Sequence, residues 1–505
     1  MASAMSQYEL LRYGKAKRFG YKFVQFFKSL PRRLLNLLIK LGIIIKNLVF
    51  GIGRFCKDVV MTFVRGTWKT RLTYVVMGFG NLAHKQFLRG LLFLAFEAAF
   101  IFYMIFAGGY WLSQLPTLGT IKVHTEIQIV AGKEVPTTVY GDNSFKILLY
   151  GVLTIFFIVA LLFTWWLSVK QSRTLDQIDE DNKKIATDKD DLRGLVDANF
   201  HRTMLALPLV GMVVFTVIPI IFMILVAFTN FDLNHNPPAG LFTWVGWDNF
   251  GQLFTWGGSK FSATFGEILV WTLIWAFFAT FTNYFLGMLV ALLINKKGIK
   301  FKKGWRTILV LTVTIPQFIS LLYISKMFGE QGIINKTLSD WGWISSPIYF
   351  WKDPILAKIT VIIINIWIGI PYLMLMVTGI LMNIPADLYE SAKIDGASPM
   401  QQYMKITLPY MLFVTGPYLL TSFTGNMNNF NVIYLLTGGG PTNVRLYNSA
   451  GQTNLLITWL YATTVSDNQY NLAAVIGIMV FIVVALISMI VYNLLPSNRN
   501  EEDLA

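Results

Sequence analysis

The sequence predicts an all-α membrane protein of about eight transmembrane helices, preceded by a basic amphipathic N-terminal extension. Three observations carry this prediction. Hydrophobic residues make up 55% of the 505-residue chain and charged residues only 14%, and the mean hydropathy is +0.55, outside the balance of a soluble domain. Apolar runs long enough to cross ~30 Å of hydrocarbon recur along the chain. They lie at about 87–113, 147–169, 203–229, 266–294, 306–328, 356–382, 406–436 and 471–495. Basic residues are unevenly placed: with both ends inside, the inner segments hold 32 of the 42 Lys and Arg. The four outer loops hold six, namely Lys122, Lys133, Lys260, Lys336, Lys352 and Arg445. The positive-inside rule then puts both termini in the cytoplasm of a multi-pass membrane protein.

Residues 1–85 carry sixteen Lys and Arg against Glu9 and Asp58, a balance of +14 that nearly equals the chain's +15. Apolar residues are interleaved with the basic ones, but Lys40, Lys46, Arg54 and Lys57 interrupt them too often for a span. This pattern predicts helices on the inner leaflet, where each Lys or Arg near anionic lipid contributes ~1 kcal/mol. Nucleic acid is not the expected partner, since the region is apolar-rich and adjoins the membrane domain.

Residues 86–170 form the first two spans and their outer loop. Glu97 lies inside the first span, where an ionised carboxylate is costly. It is either protonated or hydrogen-bonded to a neighbour, or it lines a water-filled route. Alternation of Ile121, Val123, Thr125, Ile127 and Ile129 predicts a small outer hairpin within 114–145. The next segment, 171–200, is a charged cytoplasmic linker or short surface helix; between 170 and 202 seven basic residues face eight acidic ones.

Residues 201–495 form the main membrane domain, with its core at about 266–492 and a cytoplasmic tail at 496–505. Two of its spans carry polar side chains on one face. In IIINIWIGIPYLML these are Asn365, Gly369 and Tyr372, and in SFTGNMNNFNVIYLLTGGGP they are Ser422, Asn426 and Asn429. Asn offers both donor and acceptor groups, which suits sugar hydroxyls. Tyr372 and Phe430 offer apolar faces for a pyranose ring, and neither run holds a charge. Small and amide side chains at this spacing also mediate helix packing in membranes. The span after Ile406 is interrupted by Gly416-Pro417 and by Asn426–Asn431, and Gly438-Gly439-Gly440-Pro441 reads as an outer turn.

Between those two spans lies a polar hairpin, ESAKIDGASPMQQYMKITLP at 390–409. Pro385 suits the first turn of a short helix, and Asp387 and Glu390 lie near its positive end. Gly396 accepts the positive φ that ends a helix. Ser398-Pro399-Met400-Gln401 then has capping-box spacing. The expected structure is helix, sharp turn, helix, with the second helix running into the next span from Ile406.

This hairpin resembles the EAA motif of permease subunits from binding-protein-dependent ABC importers: Glu-Ala-Ala, three residues, Gly, nine residues, Ile, one residue, Leu-Pro. Glu390, Ala392, Gly396, Ile406, Leu408 and Pro409 fall in register, with Ser391 in place of the middle alanine. From about 200 to 495 the chain is similar to the maltose/maltodextrin-type sugar permease subunit, through the FTNF element at 228–231, NIWIGIPY, the hairpin and NFNVIYLLTGGGP. The resemblance implies a type I ABC importer permease bundle in a bacterial cell membrane. It implies sugar contacts from Asn365, Gly369, Tyr372, Ser422, Gly425, Asn426 and Asn429. It also implies ATPase coupling through Glu390, Ser391, Ala392, Asp395, Gly396 and Ala397. The implied partners are a second permease subunit, a dimer of ATP-binding cassette ATPases and an extracytoplasmic sugar-binding protein. ATP and Mg would be used by the ATPase, with no cofactor on this chain. Gly425 departs from the family's best-known member, which has an aromatic ring there, so a different or longer glycan fits. The outer loop Asn230–Phe265 is too short for that member's folded outer domain, which by analogy suits a lipid-anchored binding protein.

Other classes find less support. No Walker A pattern occurs, so the expected role is non-catalytic. Paired carboxylates or a Ser/His arrangement at one depth are not seen. Single Cys56 and four scattered histidines predict neither a disulfide framework nor a metal site, and no cleavable signal peptide is visible. An ion-coupled secondary transporter is the alternative; it needs ionisable groups at mid-membrane, and only Glu97 qualifies.

Overall fold

The computed structural model describes residues 53–494 apart from 131–132, 256–257 and 297, with isolated positions between 39 and 51. Most of the basic N-terminal region and the tail therefore lie outside the described residues. Among those described, seven helices are long and apolar enough to cross a membrane, or eight if one bent pair counts as a single span. They are α1 (Phe87–Gln114), α2 (Ser144–Glu180), α3 (Phe200–Val226), α4 (Lys260–Asn295), the bent pair α5 (Lys302–Thr314) and α6 (Gln317–Met327), α7 (Pro354–Leu381), the long segment Pro399–Thr437, and Tyr470–Ile490.

The bend corrects the expected straight span at 306–328. Pro316 has no N–H to donate and disfavours helical geometry at the residue before it. Ile315 is accordingly extended at φ −77° and ψ 128°, and the two halves diverge by 90°. Other prolines are absorbed differently. Pro219 and Pro409 each follow a five-residue π-helical turn, Val213–Val217 and Tyr403–Thr407. The wider turn accommodates a ring that would otherwise crowd the carbonyl four residues back.

Contacts divide the chain into two compact units: 1–110 with 153–210, and 111–152 with 211–505. In the first, short helices Trp68–Thr73 and Phe79–Ala83 pack beside the 153–180 part of α2. Asp176, only 2% exposed, accepts from the Thr67 N–H at 3.2 Å and from the Thr67 and Thr70 hydroxyls at 2.7 Å. Helix α2 thus continues as packed structure to Glu180, past the expected span end at 169. Glu97 accepts from the Met77 backbone N–H at 2.8 Å, so its carboxylate satisfies a turn of the same unit.

The second unit holds a β hairpin, β1 (His124–Val130) against β2 (Lys133–Val139), where the alternation predicts one. Its main core joins α4, α6 and α7 through buried Trp271, Trp275, Leu321, Val361 and Ile364. Gly287 admits α7 closely, since a Cβ there would stand 2.6 Å from that of Leu373. The FTNF element is pinned by Asn249, whose amide donates to the Ala227 and Thr229 carbonyls at 2.8 and 2.7 Å. Phe231 of that element stacks on Phe242 and Tyr470. Gly439, at φ +90°, leaves no room for a side chain: a Cβ there would meet Asn454 Oδ1 at 2.0 Å.

Candidate functional site: a cavity between helices and a capped hairpin

The cavity takes its shape from the 90° bend between α5 and α6. It measures about 330 Å³, and Pro316, Gln317 and Ser320 face Trp367, Gly369 and Tyr372 across it. On α7, Asn365 is 6% exposed while Tyr372 is 55% exposed. The three residues of this helix face therefore differ in depth, with the aromatic ring open and the amide buried behind it.

The second polar face is not one continuous helix face as the spacing suggested. Helix α9 (residues 399–427) ends at Met427, and a new helix, α10 (Phe430–Thr437), starts after Asn429. Asn429 caps that restart, its side-chain oxygen accepting from Val432 N–H at 3.3 Å. Adjacent asparagines favour such local bonds over helix continuation. Ser422, Gly425 and Asn426 stay on α9. A Cβ on Gly425 would meet nothing within 4 Å, so the space an aromatic ring would fill is open.

Amide bonding links this face to α4. Asn426 Nδ2 donates to Thr280 Oγ1 at 3.0 Å, and its backbone carbonyl accepts from Trp275 Nε1 at 3.1 Å. Asn429 Nδ2 reaches Asn426 Oδ1 at 3.4 Å. Asn283 of α4 lies against Asn365, its Nδ2 3.5 Å from the Asn365 carbonyl. Thr280 and Asn283, three residues apart, thus connect α4 to both polar faces. In the sequence they sit within an apolar span, and their only signal is a polar pair at helical spacing.

The hairpin matches its predicted punctuation closely. Helix α8 (Ala386–Ile394) has Pro385 at the N-cap, one position before the expected first turn, because its ψ of 131° is extended. Asp387 lies in the first turn. Gly396 sits at φ +75° and donates to Lys393 O at 3.0 Å, and Ala397 N–H reaches Ala392 O at 2.8 Å, the Schellman pattern. Both capping-box bonds are present: Gln401 N–H to Ser398 Oγ at 3.3 Å and Ser398 N–H to Gln401 Oε1 at 2.8 Å. Tyr389 OH and Thr407 Oγ1, 2.8 Å apart, tie α8 to α9. The hairpin's surface is open, with Ile394 87% and Met400 66% exposed beside exposed Glu390, Lys393 and Asp395.

An all-α multi-pass bundle with a cavity between its helices and a capped, exposed hairpin has the form of a membrane permease. Residues 283–499 match the family of binding-protein-dependent transport system inner membrane components. The galactooligosaccharides transport system permease protein GanP of Bacillus subtilis is 31% identical over 433 residues, covering 85% of this chain and 98% of that protein. The maltodextrin transport system permease protein MalC of Streptococcus pneumoniae is 33% identical over 443 residues, covering 86% and 97%. The maltodextrin transport system permease protein MdxF of Bacillus subtilis is 34% identical over 449 residues, covering 87% and 98%. A crystal structure of a bacterial ABC transporter involved in the import of the acidic polysaccharide alginate superposes at a TM-score of 0.50 and 23% identity, covering 61% of this chain and 98% of that one. At that identity the likeness is one of fold. The chain belongs to the binding-protein-dependent transport system inner membrane component family.

Proposed function

We propose that this chain is the sugar-translocating permease subunit of an ATP-driven oligosaccharide importer, with a neutral glycan of the maltodextrin or galactooligosaccharide type as cargo. The observation that carries this reading is the capped hairpin between α7 and α9, the two helices that bear the polar faces. A stiff link between an exposed surface of mixed apolar and charged side chains and a cavity wall suits transmission of a partner's motion into the bundle. Glu390, Ser391, Ala392, Asp395, Gly396 and Ala397 would meet an ATP-binding cassette ATPase dimer, which would bind ATP and Mg and perform the hydrolysis. A second permease subunit would complete the translocation path, and an extracytoplasmic binding protein would deliver the sugar. Both termini would be cytoplasmic, with anionic lipid under residues 1–85.

Asn365, Gly369, Tyr372, Ser422, Gly425, Asn426 and Asn429 would contact the sugar, the aromatic ring by stacking and the amides by hydrogen bonds. The secondary-transporter alternative loses its candidate, because the Glu97 carboxylate is engaged by Met77 N–H. Uptake in vesicles should require internal ATP and survive collapse of the proton gradient; the reverse dependence would overturn the proposal. Asn426→Ala should weaken uptake about tenfold by removing one sugar bond and the Thr280 contact, with the assembled complex recovered at normal yield. Unchanged uptake would return Asn426 to helix packing.

A further inference from the structure

The polar atoms where α4 meets α7 are not balanced. Asn283 and Asn365 are each 6% exposed. Asn283 Nδ2 donates to the Ala279 carbonyl at 2.8 Å and lies 3.5 Å from the Asn365 carbonyl. This fixes the orientation of the amide, since the reverse would set its oxygen against two carbonyl oxygens. Its Oδ1 then has no hydrogen-bond partner among the described residues, and neither has Asn365 Nδ2. Buried amide atoms left unpaired oppose folding, and an orphaned acceptor and an orphaned donor on two touching residues call for a reason.

Gly369 separates these buried atoms from the cavity. It lies one turn beyond Asn365 on α7 and lines the cavity. A Cβ at Gly369 would stand 2.4 Å from Asn283 Nδ2 and 2.9 Å from Oδ1. The Asn283 amide therefore sits behind a stretch of cavity wall that has no side chain.

We propose that Asn283 is a specificity residue for the transported sugar, binding one of its hydroxyl groups jointly with Asn365. The hydroxyl donates to Asn283 Oδ1 and accepts from Asn365 Nδ2. A carboxylate cannot donate to the first atom, and an ammonium group cannot accept from the second. The pair thus selects a neutral hydroxylated ligand and sets the register in which it lies against Tyr372. This inference rests on the reading of the cavity as the sugar path.

The test uses the full importer in vesicles, with maltotriose and its monodeoxy analogues as probes, or galactotriose if only that enters. Asn283→Leu should raise the half-saturating concentration about tenfold. It should also erase the discrimination against one monodeoxy analogue that the parent complex shows, because the site no longer reads that hydroxyl. Asn283→Ala, which asks for no new volume, serves if the leucine variant does not insert. Gly369→Ala should reduce uptake by pressing on the amide. Combining it with Asn283→Ala relieves the crowding, so the chain inserts normally while sugar affinity stays low. Parental half-saturation in Asn283→Leu, or its recovery in the double variant, would assign the contact to packing and overturn the inference. Tyr372→Ala separates the two failures. Uptake insensitive to Tyr372→Ala as well would bring down the cavity reading itself, whereas loss with Tyr372→Ala alone would overturn only the role of Asn283.

Discussion

Replacing Gly396 with valine should abolish transport while leaving the chain inserted in the membrane. The backbone there sits at φ +75°, a conformation that costs an L-residue ~1–2 kcal/mol and a β-branched one more. Within this chain, however, a Cβ at Gly396 would meet nothing within 4 Å. Strain of that size tilts the turn without unfolding a bundle of this size. Asparagine tolerates the left-handed region, so Gly396→Asn separates strain from obstruction. If an ATPase seats on the turn, Gly396→Asn should also fail, and both variants should lose the ATPase on purification. Uptake by Gly396→Asn at the parental rate would show that geometry alone matters there. Uptake by Gly396→Val at that rate would remove the hairpin from the coupling path.

That hairpin was legible because its signals are local. Gly396, Ser398 and Gln401 act on backbone groups within a few residues of themselves, so spacing alone specifies the Schellman turn and the capping box. The same holds for most spans, whose length and apolar content are set by the bilayer and not by distant partners. Legibility failed where a residue's role depends on what packs against it. Proline at 316 was visible, but the sequence did not say whether the chain would kink, as here by 90°, or widen into a π turn as before Pro219 and Pro409. Asn429 shared its spacing with Ser422 and Asn426, yet three asparagines in four positions favoured a helix restart that Asn429 caps. Thr280 and Asn283 were hidden for the opposite reason. Their apolar surroundings suggested an unremarkable span, and only the approach of α7 and α9 gives their polar atoms a purpose.

Asp176 is the strongest case of a role carried by distant residues, and its removal should be correspondingly costly. It lies in a stretch so mixed in charge that a solvated surface was expected, but its side chain is 1% exposed. One oxygen takes three hydrogen bonds from Thr67 and Thr70, more than a hundred residues away. The other faces His84 Nε2 at 3.6 Å, and His84 Nδ1 is 2.7 Å from the Gly80 carbonyl. Through these contacts one carboxylate ties the short helices Trp68–Thr73 and Phe79–Ala83 to α2. Asp176→Leu would strip the half-buried Thr67 N–H and hydroxyl of their acceptor, leave the buried Thr70 hydroxyl with Ser172 Oγ alone and remove the partner of His84, a loss of about 3 kcal/mol. Asp176→Asn keeps one carbonyl oxygen and the side chain's shape, and should cost roughly half as much. Protease sensitivity between residues 66 and 86, together with the thermal midpoint in detergent, reads the difference. If Asp176→Leu melted with the parent protein, water would have to replace the carboxylate at no cost. The burial of Thr70 and Ser172, each 0% exposed, argues against that.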